Sequence, residues 1–183
     1  MDRDESLIET EIASEMLYDG KIIKVFRDTV RLPDGNEALR EVVRHPGAVC
    51  VVPVTDDGDI LCVRQFRYPF SEIMTEIPAG KLDFAGEDHA AAARRELLEE
   101  TGASCTELRF IGELCSSVAI LDEVIYMYLA TGLSFGKTHF DDDEFIEPVR
   151  IPFAKMKEMI LSGEIKDAKT QAAVLKAALI LGY

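Results

Sequence analysis

The chain has 183 residues, enough for one domain or one domain with a small extension, and its 48% hydrophobic content supplies a sizeable core. The formal net charge of −14 argues against a nucleic-acid backbone or an anionic membrane as the main partner. An anionic phosphate substrate would meet the same repulsion, so metal ions and locally placed arginines would have to overcome it.

Residues 11–18 alternate, and Asp19-Gly20 then offers a hairpin turn. Lys21 to Leu32 reads as a strand rich in Ile, Val and Phe, Pro33-Asp-Gly35 as a turn, and Glu37 to Arg44 as a third strand. This predicts a small antiparallel unit over residues 1–46. Such a sheet is too small to stand alone, so it must pack on the main domain or on a partner chain. The main domain is expected over residues 47–183.

Ala48 to Val54 is nearly continuously apolar, as a buried central strand would be. Asp56 to Asp59 is a turn and Ile60 to Arg67 the returning strand. Glu72 to Ile77 is short and extended, leading to Pro78-Ala-Gly80. A helix follows to about Thr101, favoured by alanines at 90–93, with Gly102 suited to the left-handed position past its end. Leu108 to Leu114, Val124 to Ala130 and Phe145 to Ile151 read as strands, the last an edge strand or bulge because of Pro148. Phe153 to Leu161 and Asp167 to Leu181 read as helices. The order is mixed α/β (α+β) without regular βαβ alternation, which disfavours a Rossmann sheet.

The acidic, polar start Met1-Asp-Arg-Asp-Glu-Ser6 lacks the basic and apolar regions of a signal peptide. No stretch approaches the roughly 18 apolar residues of a membrane span. Cys50, Cys62, Cys105 and Cys115 have no CxxC spacing and sit mostly in apolar runs. A reduced, cytoplasmic protein without structural zinc is expected. His45, His89 and His139 are scattered and have no assigned metal role.

The segment from Glu87 to Ala103 places Glu96, Glu99 and Glu100 on one helical face, where like charges weaken an isolated helix. A hard divalent cation would remove that penalty. On spacing alone, a solvated charged face remains the alternative. The same segment resembles the Nudix box, G-x5-E-x7-R-E-U-x-E-E-x-G-U with U aliphatic, through Glu87, Arg95, Glu96, Leu97, Glu99, Glu100 and Gly102, with Ala103 at the last position. One departure is that six residues rather than five separate Gly80 from Glu87, an insertion of one residue in the loop 81–86.

This resemblance implies a Nudix-type α/β/α sandwich with a mixed sheet, and hydrolysis of a pyrophosphate linkage with Mg²⁺ or Mn²⁺, two or three ions. It implies metal ligands at Glu96, Glu99 and Glu100, at the carbonyl of Ala79, and at Glu144. Arg95 would orient a neighbouring glutamate. Arg64-Gln-Phe-Arg67-Tyr-Pro69 ahead of Glu76-Ile-Pro-Ala-Gly80, the N-terminal unit and Lys166-Asp-Ala-Lys-Thr170 resemble the ADP-ribose pyrophosphatase branch. That branch uses its N-terminal unit to form a homodimer.

Within that frame Arg67 is the candidate to grip a substrate phosphate, since a guanidinium can take two phosphate oxygens at once. The alternative is that Arg64 and Arg67 simply point outward from an edge strand. Arg44 and Glu41 are candidates for the adenosine side, and Phe26 and Tyr68 for stacking the base. Ser117 and Glu123 match a substrate-bordering loop in which Val118-Ala119 replaces Pro-Gly. Glu144 is the expected general base, with Asp142 and Glu147 as alternatives, and with Glu100 and Arg95 it makes up the expected catalytic set. The implied reaction turns ADP-ribose or a related ADP-sugar and water into AMP and ribose 5-phosphate. The alternatives are GDP-mannose, NADH or a nucleoside triphosphate as substrate, or a Nudix-fold nucleotide-sugar sensor without catalysis.

Overall fold

The computed structural model describes residues 4–84, 86–136 and 145–183. The chain divides into two compact units, Met1–Pro46 with Cys115–Glu123, and Gly47–Leu114 with Val124–Tyr183. The sequence pattern places residues 115–123 with the second unit. They group with the first because they pair with its last strand.

The first unit is an antiparallel sheet of β1 (Thr10–Asp19), β2 (Lys24–Arg31) and β3 (Glu37–Arg44), in that order. Its two connections are short because the turn residues close them locally. The Gly20 N–H donates to the Ile23 carbonyl at 3.0 Å. Asp34 accepts from the Asn36 backbone N–H at 3.0 Å and from its side-chain amide at 2.9 Å, an Asx turn. The segment 115–123 continues the unit beyond β3. The Val43 N–H donates to Ile120 O at 2.7 Å, and the Asp122 N–H to Val43 O at 3.1 Å. β1 is exposed along its whole length, including Ile12, Met16, Leu17 and Tyr18.

The second unit contains β4 (Ala48–Pro53), β5 (Asp59–Arg67), β6 (Glu72–Glu76), β7 (Ala79–Lys81), α1 (His89–Thr101), β8 (Ala103–Cys115), β9 (Val124–Phe135), β10 (Ile146–Pro152), α2 (Phe153–Leu161) and α3 (Ala168–Leu181). Four strands form a mixed sheet in the order β7-β4-β9-β8, with β4 parallel to β9 and antiparallel to β7. Three form an antiparallel sheet in the order β10-β5-β6. Pro148 lies in edge strand β10, where its missing N–H interrupts no central ladder.

Strand β4 explains the layering. Side chains alternate across a strand, and both faces of β4 are buried. Cys50 and Val52 join Ile60, Cys62, Met127 and the inner faces of α2 and α3 in one core. Val49 and Val51 join Leu61, Tyr128 and the α1 residues Ala92, Ala93 and Leu97 in a second core. Helices on both faces of the strands give the α/β/α sandwich. Burial raises the Cys50 thiol to about 12, despite the opposing charge of Lys169, and raises Cys62 to about 12 as well.

Candidate active site

The five residues Glu76 to Gly80 are each held by a different contact, and the last two, Ala79 and Gly80, meet the box helix. Gly80 pairs with Val49, and a Cβ built on it would lie 2.1 Å from the Glu96 carboxylate. Only glycine leaves that carboxylate its place. The Ala79 N–H donates to Glu100 Oε2 at 3.1 Å. Pro78 accepts from the Val51 N–H at 2.9 Å. The Ile77 N–H donates to Thr170 Oγ1 at 3.0 Å. Glu76, almost fully buried, receives both Arg67 and Lys169.

Helix α1 begins at the Asp88 cap, whose Oδ1 accepts from the N–H groups of Ala90 at 2.9 Å and Ala91 at 3.3 Å. It ends at Gly102, whose φ of 68° suits a residue without a side chain. Leu97 packs on the sheet, and that orientation turns Glu96 and Glu100 inward as buried carboxylates. Glu99 is more open. Arg95 Nη1 donates to Glu96 Oε1 at 2.7 Å and to Glu99 Oε2 at 3.2 Å. Its Nη2 is buried and, among the described residues, without a hydrogen bond, 3.7 Å from Glu87 and 3.9 Å from Asp83. Burial opposes the Arg95 charge, but Glu96, Asp83 and Glu99 outweigh it and raise its pKa. Glu87 also accepts from the Asp83 N–H at 2.7 Å, closing the loop ahead of the helix despite its extra residue.

The donor set suits a divalent cation. It consists of hard carboxylate oxygens on one helical face beside a backbone that approaches closely because Gly80 lacks a side chain. Among the described residues no three acidic, His or Cys side chains already converge as a ligand cage. Arg95 draws Glu96 and Glu99 toward itself, so it occupies the electrostatic role a cation would take over. At Ala79 the backbone group that meets Glu100 is the N–H.

Arg67 lies in the same unit. Its Nε and Nη2 each donate to Glu76 at 2.7 Å, an arrangement of two parallel bonds. Its pKa is raised, first by the hydrogen bond to Glu76 and further by the charges of Glu76, Asp167 and Glu100. Arg64 behaves differently and donates to Glu147 Oε2 at 2.6 Å across the β5–β10 pair. That contact engages one of the alternative bases. Glu144 and Asp142 lie outside the described residues.

The remaining candidates, Tyr68 apart, fall in the first unit. Arg44 Nη2 donates to buried Asp28 at 3.2 Å, its Nη1 lies 3.6 Å from Asp122, and its guanidinium sits 5.5 Å from the centre of the Phe26 ring. Glu123 accepts from Ser116 Oγ at 2.7 Å and lies 3.4 Å from His45 Nδ1. The Ser117 carbonyl accepts from the N–H groups of Ile120 and Leu121, forming a tight turn. Glu41 is exposed opposite Arg27. Tyr68 is exposed on the turn after β5, in the second unit. Sequence reasoning missed the coupling of Glu76 to Lys169. The available signal was a lysine beside the buried stripe of α3, formed by Thr170, Ala173, Val174, Ala177 and Ala178.

A sequence profile described as NUDIX domain matches residues 44–175, and one described as nucleoside diphosphate sugar hydrolase N-terminal domain matches residues 9–43. An ADP-ribose pyrophosphatase of Bacillus subtilis (strain 168) is 42% identical over 171 residues, 92% of this chain and 92% of that protein. A methanol dehydrogenase activator of Bacillus methanolicus is 39% identical over 168 residues, 91% of this chain and 90% of that protein. A solved structure described as ADP compounds hydrolase superposes with a TM-score of 0.84, covering 97% of this chain and 96% of that one. At 22% identity that likeness shows the fold alone. The chain belongs to the Nudix hydrolases, a family that works with a divalent metal.

Proposed function

We propose that this enzyme hydrolyses the diphosphate linkage of ADP-ribose or a close ADP-sugar, giving AMP and ribose 5-phosphate, with two or three Mg²⁺ or Mn²⁺ ions. The observation that carries this reading is the burial of Glu96 and Glu100 against Ala79 and Gly80. The substrate class is supported by the relative named as an ADP-ribose pyrophosphatase, which matches across both units.

Glu96, Glu99, Glu100 and the Ala79 carbonyl would hold the metal, with Glu144 added from the sequence just ahead of β10. When bound, the metal supplies neutralising charge for the diphosphate and a lowered pKa for the attacking water. Arg95 keeps Glu96 and Glu99 oriented. Arg67 grips a phosphate oxygen pair. The water oxygen bonds to one phosphorus, the bridging P–O bond breaks, and Glu144 takes the proton. Arg44, Glu41, Ser117 and Glu123 are the candidates for the nucleoside and sugar. The exposed apolar edge of β1 supports a homodimer formed through the N-terminal sheet. A cytoplasmic location fits the free thiols.

A panel of ADP-ribose, GDP-mannose, NADH and dGTP, assayed with Mg²⁺, tests the substrate class. ADP-ribose should lead by about 100-fold in kcat/KM. Equal rates on all four would refute it. The likeness to a methanol dehydrogenase activator favours a second reading, in which the chain acts on a dehydrogenase. Adding the chain to methanol dehydrogenase and following alcohol oxidation tests that. A rate stimulated at least as strongly by a variant carrying Glu144→Gln would separate activation from hydrolysis.

A further inference from the structure

The Glu76 carboxylate carries two cations, and their environments differ. The Glu76 side chain is 2% exposed, Lys169 12% and Arg67 38%. Lys169 is tied in place. Its Nζ contacts Glu76 Oε2 and lies 3.0 Å from Asp167 Oδ2. Asp167 is itself the cap of α3, accepting from the Thr170 N–H at 2.9 Å and Thr170 Oγ1 at 2.5 Å. Thr170 Oγ1 in turn accepts from Ile77 N. Among the described residues Arg67 makes its side-chain hydrogen bonds to Glu76 alone, and it is the more exposed of the two cations.

A buried carboxylate with a single cation cannot release it, because the stranded charge is strongly penalised. A second, fixed cation changes that balance. Burial raises the pKa of Glu76, but Arg67 and Lys169 together hold it below the ordinary value. Burial lowers that of Lys169, yet Asp167 and Glu76 keep it above the ordinary value, so it remains charged. We propose that Lys169 is a positioning residue: the resident counter-ion of Glu76 that lets Arg67 swing onto a substrate phosphate. Glu76 then stores Arg67 between turnovers. This rests on the reading that Arg67 binds the diphosphate.

The test is steady-state kinetics on ADP-ribose with Lys169→Met, Lys169→Arg, Arg67→Ala, Glu76→Gln and the double variant Glu76→Gln with Lys169→Met. In Lys169→Met, Arg67 becomes the sole partner of Glu76 and is held there. KM should rise about tenfold while kcat changes less than about threefold. Lys169→Arg should keep KM near that of the unaltered enzyme. Neutralising Glu76 removes the trap, so the double variant should match Glu76→Gln in KM. That comparison holds even if Lys169→Met alone fails to fold. An unchanged KM in Lys169→Met, or a double variant about tenfold worse in KM than Glu76→Gln, overturns the proposal while leaving Arg67 as a phosphate ligand. An unchanged KM in Arg67→Ala overturns the Arg67 reading itself, and the proposal with it.

Discussion

Gly80 shows how a missing side chain shapes a catalytic surface. The Glu96 carboxylate fills the volume a Cβ would claim, so Gly80→Ala must displace either the strand or the glutamate. Overpacking of this kind destabilises by about 1–3 kcal/mol. Here it should also weaken binding of Mn²⁺, which calorimetric titration of the variant would read directly. Glu76 gives a second expectation at this scale. Its folded pKa is lowered from 4.5, because Arg67 and Lys169 overcome the burial penalty. A lowered folded value means its stabilisation is complete above the unfolded pKa and is lost as pH falls through the folded one. Urea unfolding should therefore show the stability gap between the unaltered chain and Glu76→Gln narrowing below about pH 4.5. Glu76→Ala would leave Lys169 buried beside Asp167 and Arg67 without its fork partner. Breaking a buried ion pair in this way typically costs about 3–5 kcal/mol.

Among the elements, α1 has to hold acidic side chains in a fixed direction, and its ends determine whether it can. Asp88 caps two N–H groups at its start. Asp88→Ala should cost about 1 kcal/mol and lower Tm by about 2–4 °C for a chain of this size. Calorimetry checks this, and kcat should fall as the first turn frays. The helix was legible from the Ala90–Ala93 run and Gly102, and α2 matches the expected span. β7 was not legible, because Ala79-Gly-Lys81 has neither alternation nor β-branched residues. Its strand character comes from pairing with β4 and from contacts to α1, which only tertiary structure supplies. β8 and β9 extend past their expected limits for a similar reason, since half-exposed strand ends lose the apolar signal. The box carboxylates were readable as a cluster from spacing. The engagement of Arg64 with Glu147 was not, because cross-strand register decides it, nor was that of Arg67, which reaches Glu76 although the register sets it opposite Glu72.

Across the whole molecule, a net charge of −14 opposes the approach of an anionic nucleotide sugar. Salt screens charges beyond a Debye length of about 10 Å at 0.1 M. With Mg²⁺ held constant and saturating, kcat/KM for ADP-ribose should therefore rise as KCl increases from near zero to about 0.1 M. A monotonic fall would indicate that local arginines dominate long-range repulsion. The fully exposed strand β1 makes a second prediction at this scale. An edge strand carrying Ile12, Met16 and Tyr18 in water invites pairing with another chain. Light scattering should give a dimer mass for the unaltered chain and a monomer mass after Ile12→Glu with Met16→Glu.

The thiols walled inside β4 and β5 give this enzyme a built-in stopwatch. Cys50 and Cys62 are sealed from solvent and held in the protonated, unreactive form, whereas Cys115 lies open. An alkylating reagent should consume Cys115 at once and wait for the central strands to part before reaching the other two. Timing that second wave by mass spectrometry would measure how often the scaffold beneath the catalytic helix breathes, without any engineered label.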